Sequence, residues 1–262
     1  MGAYCKSCKF YKISIKTQEI SSFSVQFSNM KSLLTLLLLC CLHTTYAIEN
    51  ERALIVVIDL AEKATNHKKM YINETTKAVK RIKKITAGYY SKLIILHRKI
   101  ATKKYDLEQL EKLAQDDSVK VIDSIIYVHG KNEFYKNGPS LCFVDGESCV
   151  NVQELATQIN SIPGLQQKLR ALYSDACWGE YHLNSWIDAG FKIASGSKGV
   201  DSNRSIDLKR FLKKWISGES FKTSIDHANS SFISDIMDEV IKNGNSHKEI
   251  LGNELLTIQS EI

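Results

Sequence analysis

In "KLRALYSDACWGEY", residues 168–181, a short apolar run ends in Asp175-Ala176-Cys177. An apolar run of this length between polar flanks reads as a strand covered on both faces. The same signature recurs in "ALIVVIDL" (53–60), "KLIILH" (92–97), "DSIIYVHG" (123–130) and "KIASGS" (192–197), the fourth strand being residues 168–177. Amphipathic stretches separate them: residues 61–86, "DLEQLEKLAQD" with Asp106 as its cap, residues 152–159, and "YHLNSWIDAGF". "SIDLKRFLKKWISG", capped by Ser205, and "ISDIMDEVIKNG" follow. Short apolar strands alternating with helices predict an α/β fold, with a mostly parallel central sheet covered by helices on both faces. In such sheets the functional crevice lies beyond the carboxyl ends of the strands. His129 closes the third strand and Cys177 the fourth. If these strands are neighbours, about 4.8 Å apart, imidazole and thiol open into one crevice.

The rest of the chain says where such a thiol would live. "MKSLLTLLLLCCLHTTYA" begins at Met30 with a lysine after it, runs apolar from Leu33 to Leu42, and ends in small and polar residues. That is the pattern of a secretory signal peptide, too short to span a bilayer comfortably. The preferred reading is a non-mature leader over residues 1–47, with the start at Met30, and a protein that is secreted or placed in a periplasmic or other secretory compartment; the alternative is an uncleaved signal anchor or a core helix.

The leader accounts for most of the positive charge. The chain is +6 overall, 44% hydrophobic and 24% charged. The first 47 residues carry five lysines and one acid, which leaves about +2 for the remainder. Nucleic-acid binding loses its main support. Lys80, Arg81, Lys83 and Lys84 read as a solvated helix face.

Four of seven cysteines (Cys5, Cys8, Cys40, Cys41) fall in the leader, leaving Cys142, Cys149 and Cys177. In "CFVDGESC" the Asp145-Gly146 pair is a two-residue hairpin signal that sets Cys142 opposite Cys149. Opposed residues of an antiparallel pair lie roughly 4.5–5.5 Å apart at Cα, within disulfide range. In an oxidising compartment the pair closes. Cys177 is then the odd thiol of a secreted chain, either an intermolecular link or a reactive group.

A thiol attacks as thiolate, and its ordinary pKa is roughly 8.5. A nearby imidazole can take the proton, and a helix starting just after Cys177 would set its positive end at the sulfur. Gly130, with no Cβ, leaves its N–H free to face a substrate carbonyl. The N–H groups of Gly130 and Cys177 together form a candidate oxyanion hole. Asp175, two residues before Cys177, shares its face on a strand. It either draws a basic substrate side chain or caps the following helix. His182 reads as a surface or packing residue, His97 as a structural histidine that could also line the crevice, and Trp178, Trp186 and Trp215 as core or interhelix contacts. Asn73, Asn203 and Asn229 begin N-glycosylation sequons. No G-x-S-x-G, Walker loop, H-E-x-x-H or paired C-x-x-C occurs in the mature part, so no metal or other cofactor is expected.

"DSIIYVHGK" and "ALYSDACWG", with His129 and Cys177 separated by 48 residues, resemble the His-Gly and Cys blocks of the caspase-fold (clan CD) cysteine peptidases. These include caspases, metacaspases, legumain, clostripain and gingipain, and the caspase spacing is about 50 residues. The resemblance covers residues 53–231. It implies a caspase-like fold, peptide or protein substrates, His129 as base, Cys177 as nucleophile, and the Gly130 and Cys177 amides as oxyanion hole. The acid two residues before the cysteine, as in the arginine- and lysine-cleaving members, implies Asp175 in the pocket for the residue preceding the cut bond. Ser195 and Ser197, at the fifth strand, are further substrate-binding candidates. "CWGEY" departs from the caspase and legumain blocks, and "KIASGSKGVDSNRS" offers no clear arginine for an aspartate-specific pocket.

The expected organisation is a leader (1–47), a peptidase domain (48–231) and a helical C-terminal extension (232–262). The expected activity is endopeptidase hydrolysis through a Cys-His dyad, after Arg or Lys if Asp175 selects. Two alternatives share the fold: a non-catalytic peptide-binding protein, and a transpeptidase or ligase using the same thiol.

Overall fold

The computed structural model describes residues 51–62, 64, 67–132, 138–144, 149–202 and 204–261. The leader with Met30 and its four cysteines, the Asp145-Gly146 turn and the Asn203 sequon lie outside the described residues.

Strands β1 (Arg52–Ile58), β2 (Lys92–His97), β3 (Val121–Tyr127), β7 (Leu169–Ser174), β8 (Ile193–Ser197) and β9 (Lys248–Gly252) form one sheet, in the order β2-β1-β3-β7-β8-β9. All neighbours are parallel except β8 and β9. The fold is thus mixed α/β with a mostly parallel six-stranded sheet. Strands β4 (His129–Lys131), β5 (Ser140–Cys142) and β6 (Val150–Asn151) make a small antiparallel sheet at its carboxyl end.

The strands read as continuous apolar runs because both faces are covered. Ala53, Ile55 and Val57 of β1 pack on one side, with helices α2 (Lys103–Gln115), α3 (Val152–Asn160) and α4 (Leu183–Ala189). Leu54, Val56 and Ile58 pack on the other, with α1 (Lys68–Thr86), α5 (Arg204–Ile216) and α6 (Phe221–Asn229). A seventh helix, α7 (Phe232–Val240), precedes β9. Among the described residues, no helix is long and apolar enough to cross a membrane.

Local chemistry corrects several expected boundaries. Helix α1 starts at Lys68 rather than near residue 61, after His67 in the left-handed region (φ 59). Helix α2 is capped by Thr102, whose hydroxyl accepts from Tyr105 N–H at 3.0 Å. Asp106 sits instead inside the first turn, where burial pushes its pKa up to about 7. Ser205 likewise lies inside α5. The third strand stops at Tyr127, and the chain turns into β4 with His129 as its first residue.

The tail differs most from expectation. Among the described residues of this tail, Phe232–Val240 alone is helical, and Lys248–Gly252 supplies the antiparallel edge of the main sheet. Leu256 and Ile258 then enter the core. At the amino end of the strands the tail is held by charge. Arg52 Nη1 donates to Ile258 O at 3.0 Å, while Arg170 Nη1 donates to Ile258 O at 2.6 Å and Ser260 O at 2.9 Å. Arg170 also grips Asp123 with two bonds, Nε to Oδ1 at 2.9 Å and Nη2 to Oδ2 at 2.7 Å, and both residues are buried. Tyr90 O–H donates to Asp123 Oδ2 at 2.7 Å and accepts from Trp215 Nε1 at 3.1 Å.

Arg170→Met would strand the Asp123 carboxylate in the core. The expected loss is about 3–5 kcal/mol, read as a lower urea midpoint. Adding Asp123→Leu should restore part of it, because the uncompensated charge is then gone.

Candidate active site at the carboxyl ends of the strands

β3 and β7 are neighbours in the sheet, and Asp175 N–H extends their pairing to Ile126 O at 2.7 Å. Beyond this point the two chains leave the sheet side by side. A Cβ placed on Gly130 would lie 2.2 Å from the Cys177 carbonyl oxygen and 2.9 Å from Ala176 Cβ. Only a glycine permits that approach. The His-Gly and Ala-Cys segments are therefore in backbone contact. His129 and Cys177 are both half-buried, and Cys177 takes part in no disulfide.

The imidazole is oriented from β1 and α1. Asp59 N–H continues the ladder to Tyr127 O at 3.0 Å, and Asp59 Oδ2 accepts from Glu62 N–H at 2.9 Å. This turn presents Leu60 O, 3.0 Å from His129 Nε2. A carbonyl only accepts, so Nε2 carries a proton and the neutral ring keeps its lone pair on Nδ1. Tyr71 of α1 meets the ring edge-on, at 5.6 Å between centroids and 89° between planes.

The opposite side is braced by the small sheet. His129 pairs with Cys142 and Gly130 with Leu141 in the antiparallel β4–β5 register, and Leu141 pairs with Val150. Continuing that register sets Cys142 opposite Cys149, and the two are joined by a disulfide. The Cys142–Cys149 pairing agrees with expectation. The bridge thus lies next to the strand that carries His129.

Past Cys177 the chain bends sharply. Trp178 adopts φ 59, and its N–H donates to Gly199 O at 2.8 Å. Gly179 lies against β8, where an added Cβ would come 2.7 Å from Gly196 Cα. A single 3-10 turn, Gly179–His182, intervenes before α4 begins at Leu183. The expected helix directly after Cys177 therefore starts six residues later, and its dipole is spent within its own first turn. His182 is fully buried and its Nε2 donates to Lys131 O at 3.1 Å, bracing the end of β4.

No protein-family model matches the sequence, and no curated protein does. Among solved structures the chain is similar to caspase-1 from Spodoptera frugiperda, at 12% identity over 80% of this chain and 90% of that one, with a TM-score of 0.49. It is also similar to a secreted C11 cysteine protease from Bacteroides thetaiotaomicron, solved with an irreversible peptide inhibitor. That identity is 11%, over 78% of this chain and 66% of the other, again with a TM-score of 0.49. These are likenesses of chain course, and the chemistry rests on the residues themselves.

The substrate-binding candidates are placed less openly than expected. Asp175, Ser195 and Ser197 are all fully buried. Asp175 Oδ1 lies 2.9 Å from Lys248 Nζ, an ion pair with neither partner exposed. Burial raises the Asp175 pKa well above the usual carboxylate range, with Lys248 opposing. Its carboxylate is thus already engaged within the chain, neither free for a substrate nor capping a helix. Ser197 Oγ donates to Asp201 Oδ2 at 2.9 Å. Composition patterns missed Lys248, because an isolated lysine reads as surface, and they missed Leu60, which acts through its main chain. Asn229 keeps its amide for β9, with Nδ2 donating to Lys248 O at 3.0 Å.

Burial holds the His182 pKa down to about 4, with the Lys131 carbonyl opposing, whereas the ordinary value is 6.5. Between these values only the unfolded chain takes up the proton. The stability contributed by neutral His182 is thus complete above pH 6.5 and lost as pH falls toward 4. The full effect is about 3 kcal/mol. Urea midpoints across that window should fall less steeply in His182→Gln, which keeps a donor for Lys131 O.

Proposed function

We propose that this chain is a secreted cysteine endopeptidase of caspase-like fold, with Cys177 as nucleophile and His129 as its base. The observation that carries the reading is the backbone contact of Gly130 with Cys177, which brings the one cysteine of the described residues outside a disulfide to the histidine-bearing strand. The disulfide Cys142–Cys149 supports an oxidising compartment, in keeping with a leader over residues 1–47.

The steps follow from the site. His129 Nδ1 takes the Cys177 proton, and the Leu60 carbonyl steadies the resulting imidazolium through Nε2–H. The thiolate attacks the peptide carbonyl, forming a C–S bond, and the oxyanion is received by the N–H groups of Gly130 and Cys177. Collapse breaks the C–N bond, and His129 returns its proton to the leaving amine. Water, deprotonated by the same ring, then hydrolyses the thioester. No cofactor enters. Asp175, two residues before the thiol, is buried with its charge met by Lys248, so a preference for Arg or Lys has no unpaired carboxylate behind it.

A fluorogenic peptide panel, with Arg, Lys, Asn or Asp before the reporter, tests this under reducing conditions. Mature wild type should hydrolyse at least one member. Cys177→Ala and His129→Ala should each lose roughly 10³-fold or more in kcat/KM. Turnover that persists in Cys177→Ala, or none by folded wild type, would overturn the reading. Products formed with an added amine separate hydrolysis from acyl transfer to amines.

A further inference from the structure

Lys248, the first residue of β9, is fully buried. Its ammonium lies 2.9 Å from Asp175 Oδ1, 2.7 Å from Asp201 Oδ2 and 3.3 Å from Ser197 Oγ. It also stands 5.0 Å from the centre of the Tyr173 ring. An ammonium has three donors and no acceptor. Two carboxylates, a hydroxyl and an aromatic face are the surroundings a bound alkylammonium ligand receives. Asp207 backs the cluster and accepts from Ser234 O–H at 2.6 Å. Burial leaves its pKa raised to about 6, with Lys248 opposing. Three acids thus face one base, more than a structural ion pair needs. Ser195 shares the β8 face of Ser197, and its Oγ is buried with no hydrogen bond among the described residues.

This enclosure adjoins the thiol. Asp175 is two residues before Cys177, and Trp178 N–H is bonded to Gly199 O, in the loop that leads to Asp201. The lysine is also fixed in place. Lys248 pairs with Ser197 in the β8–β9 register. Asn229 brackets its main chain, with Nδ2 donating to Lys248 O at 3.0 Å and Oδ1 accepting from Lys248 N–H at 2.8 Å.

We propose that the cluster is a pocket for a cationic side chain whose occupant is the chain's own Lys248, which makes Lys248 the residue that sets what the site admits before the cut bond. The specificity part rests on Cys177 being the nucleophile; the pocket itself does not. A substrate Arg or Lys finds the carboxylates taken. Removing the lysine side chain exposes an acidic cavity of the right length for a butylammonium ion.

The experiment uses the full mature chain with Lys248→Ala, and n-butylammonium as the probe, with n-butanol as its uncharged match. The amine should raise the melting temperature of Lys248→Ala by several degrees and leave wild type unmoved, while butanol moves neither. A variant that folds only with the amine present also supports the proposal. One that melts, or fails to fold, identically with and without the amine overturns it. In the peptide panel, Lys248→Ala should gain at least tenfold over wild type on Lys or Arg substrates, relative to uncharged ones. Wild type cleaving after Lys or Arg as well as the variant would overturn the specificity role. If neither protein cleaves any peptide, the peptidase reading fails, while the melting shift still decides the pocket.

Discussion

The absence of a side chain at residue 130 is the constraint on which the site depends. β3 and β7 are held together along the sheet by main-chain bonds, but past Ile126 and Ser174 the ladder gives out. There the two chains stay in touch because the Gly130 backbone lies flat on that of Cys177, in space a Cβ would fill. The groups around Cys177 are hung on this contact: the imidazole next to Gly130, the Leu60 carbonyl bonded to its Nε2, and the small sheet that pairs with the same strand.

Buried charge closes both ends of the sheet, and the C-terminal segment takes part in each. At the amino ends, Arg170 and Arg52 hold carbonyls near residue 258 while Asp123 neutralises Arg170. At the carboxyl ends, Lys248 answers Asp175 and Asp201. Such pairs add little net stability compared with apolar packing, but they penalise any arrangement that leaves one partner alone. They therefore act as register marks. β9 fits only where its lysine meets those acids and where Ile258 O meets both arginines.

Much of this was legible in the amino-acid sequence, for identifiable reasons. Strands buried on both faces appear as unbroken apolar runs, so the five parallel strands and their helices stand out. The Asp-Gly pair in "CFVDGESC" is a turn signal that sets a register by counting, which is why Cys142 could be matched with Cys149. What escaped was carried by the main chain or by context. Leu60 acts through its carbonyl, and Thr102 rather than Asp106 supplies the cap because the Asp106 side chain is drawn inward. "HKEILG" is too short and too charged to announce a strand, and its lysine is buried only because distant aspartates await it. The expected helix directly after Cys177 gave way to the bend at Trp178 and the close passage of Gly179 over Gly196.

The contact of Arg52 with Ile258, 206 positions apart along the chain, also bears on biosynthesis. The first strand leaves the ribosome long before its clamp does, and β9 follows every other strand of the sheet. Contacts of such long sequence separation form late. A nascent chain can build its parallel strands and cover both faces. Yet until the tail emerges Asp175 and Asp201 have no ammonium between them, and the wall beside Cys177 is unfinished. Closure of the sheet beside Cys177 thus waits on the synthesis of residues 248–258.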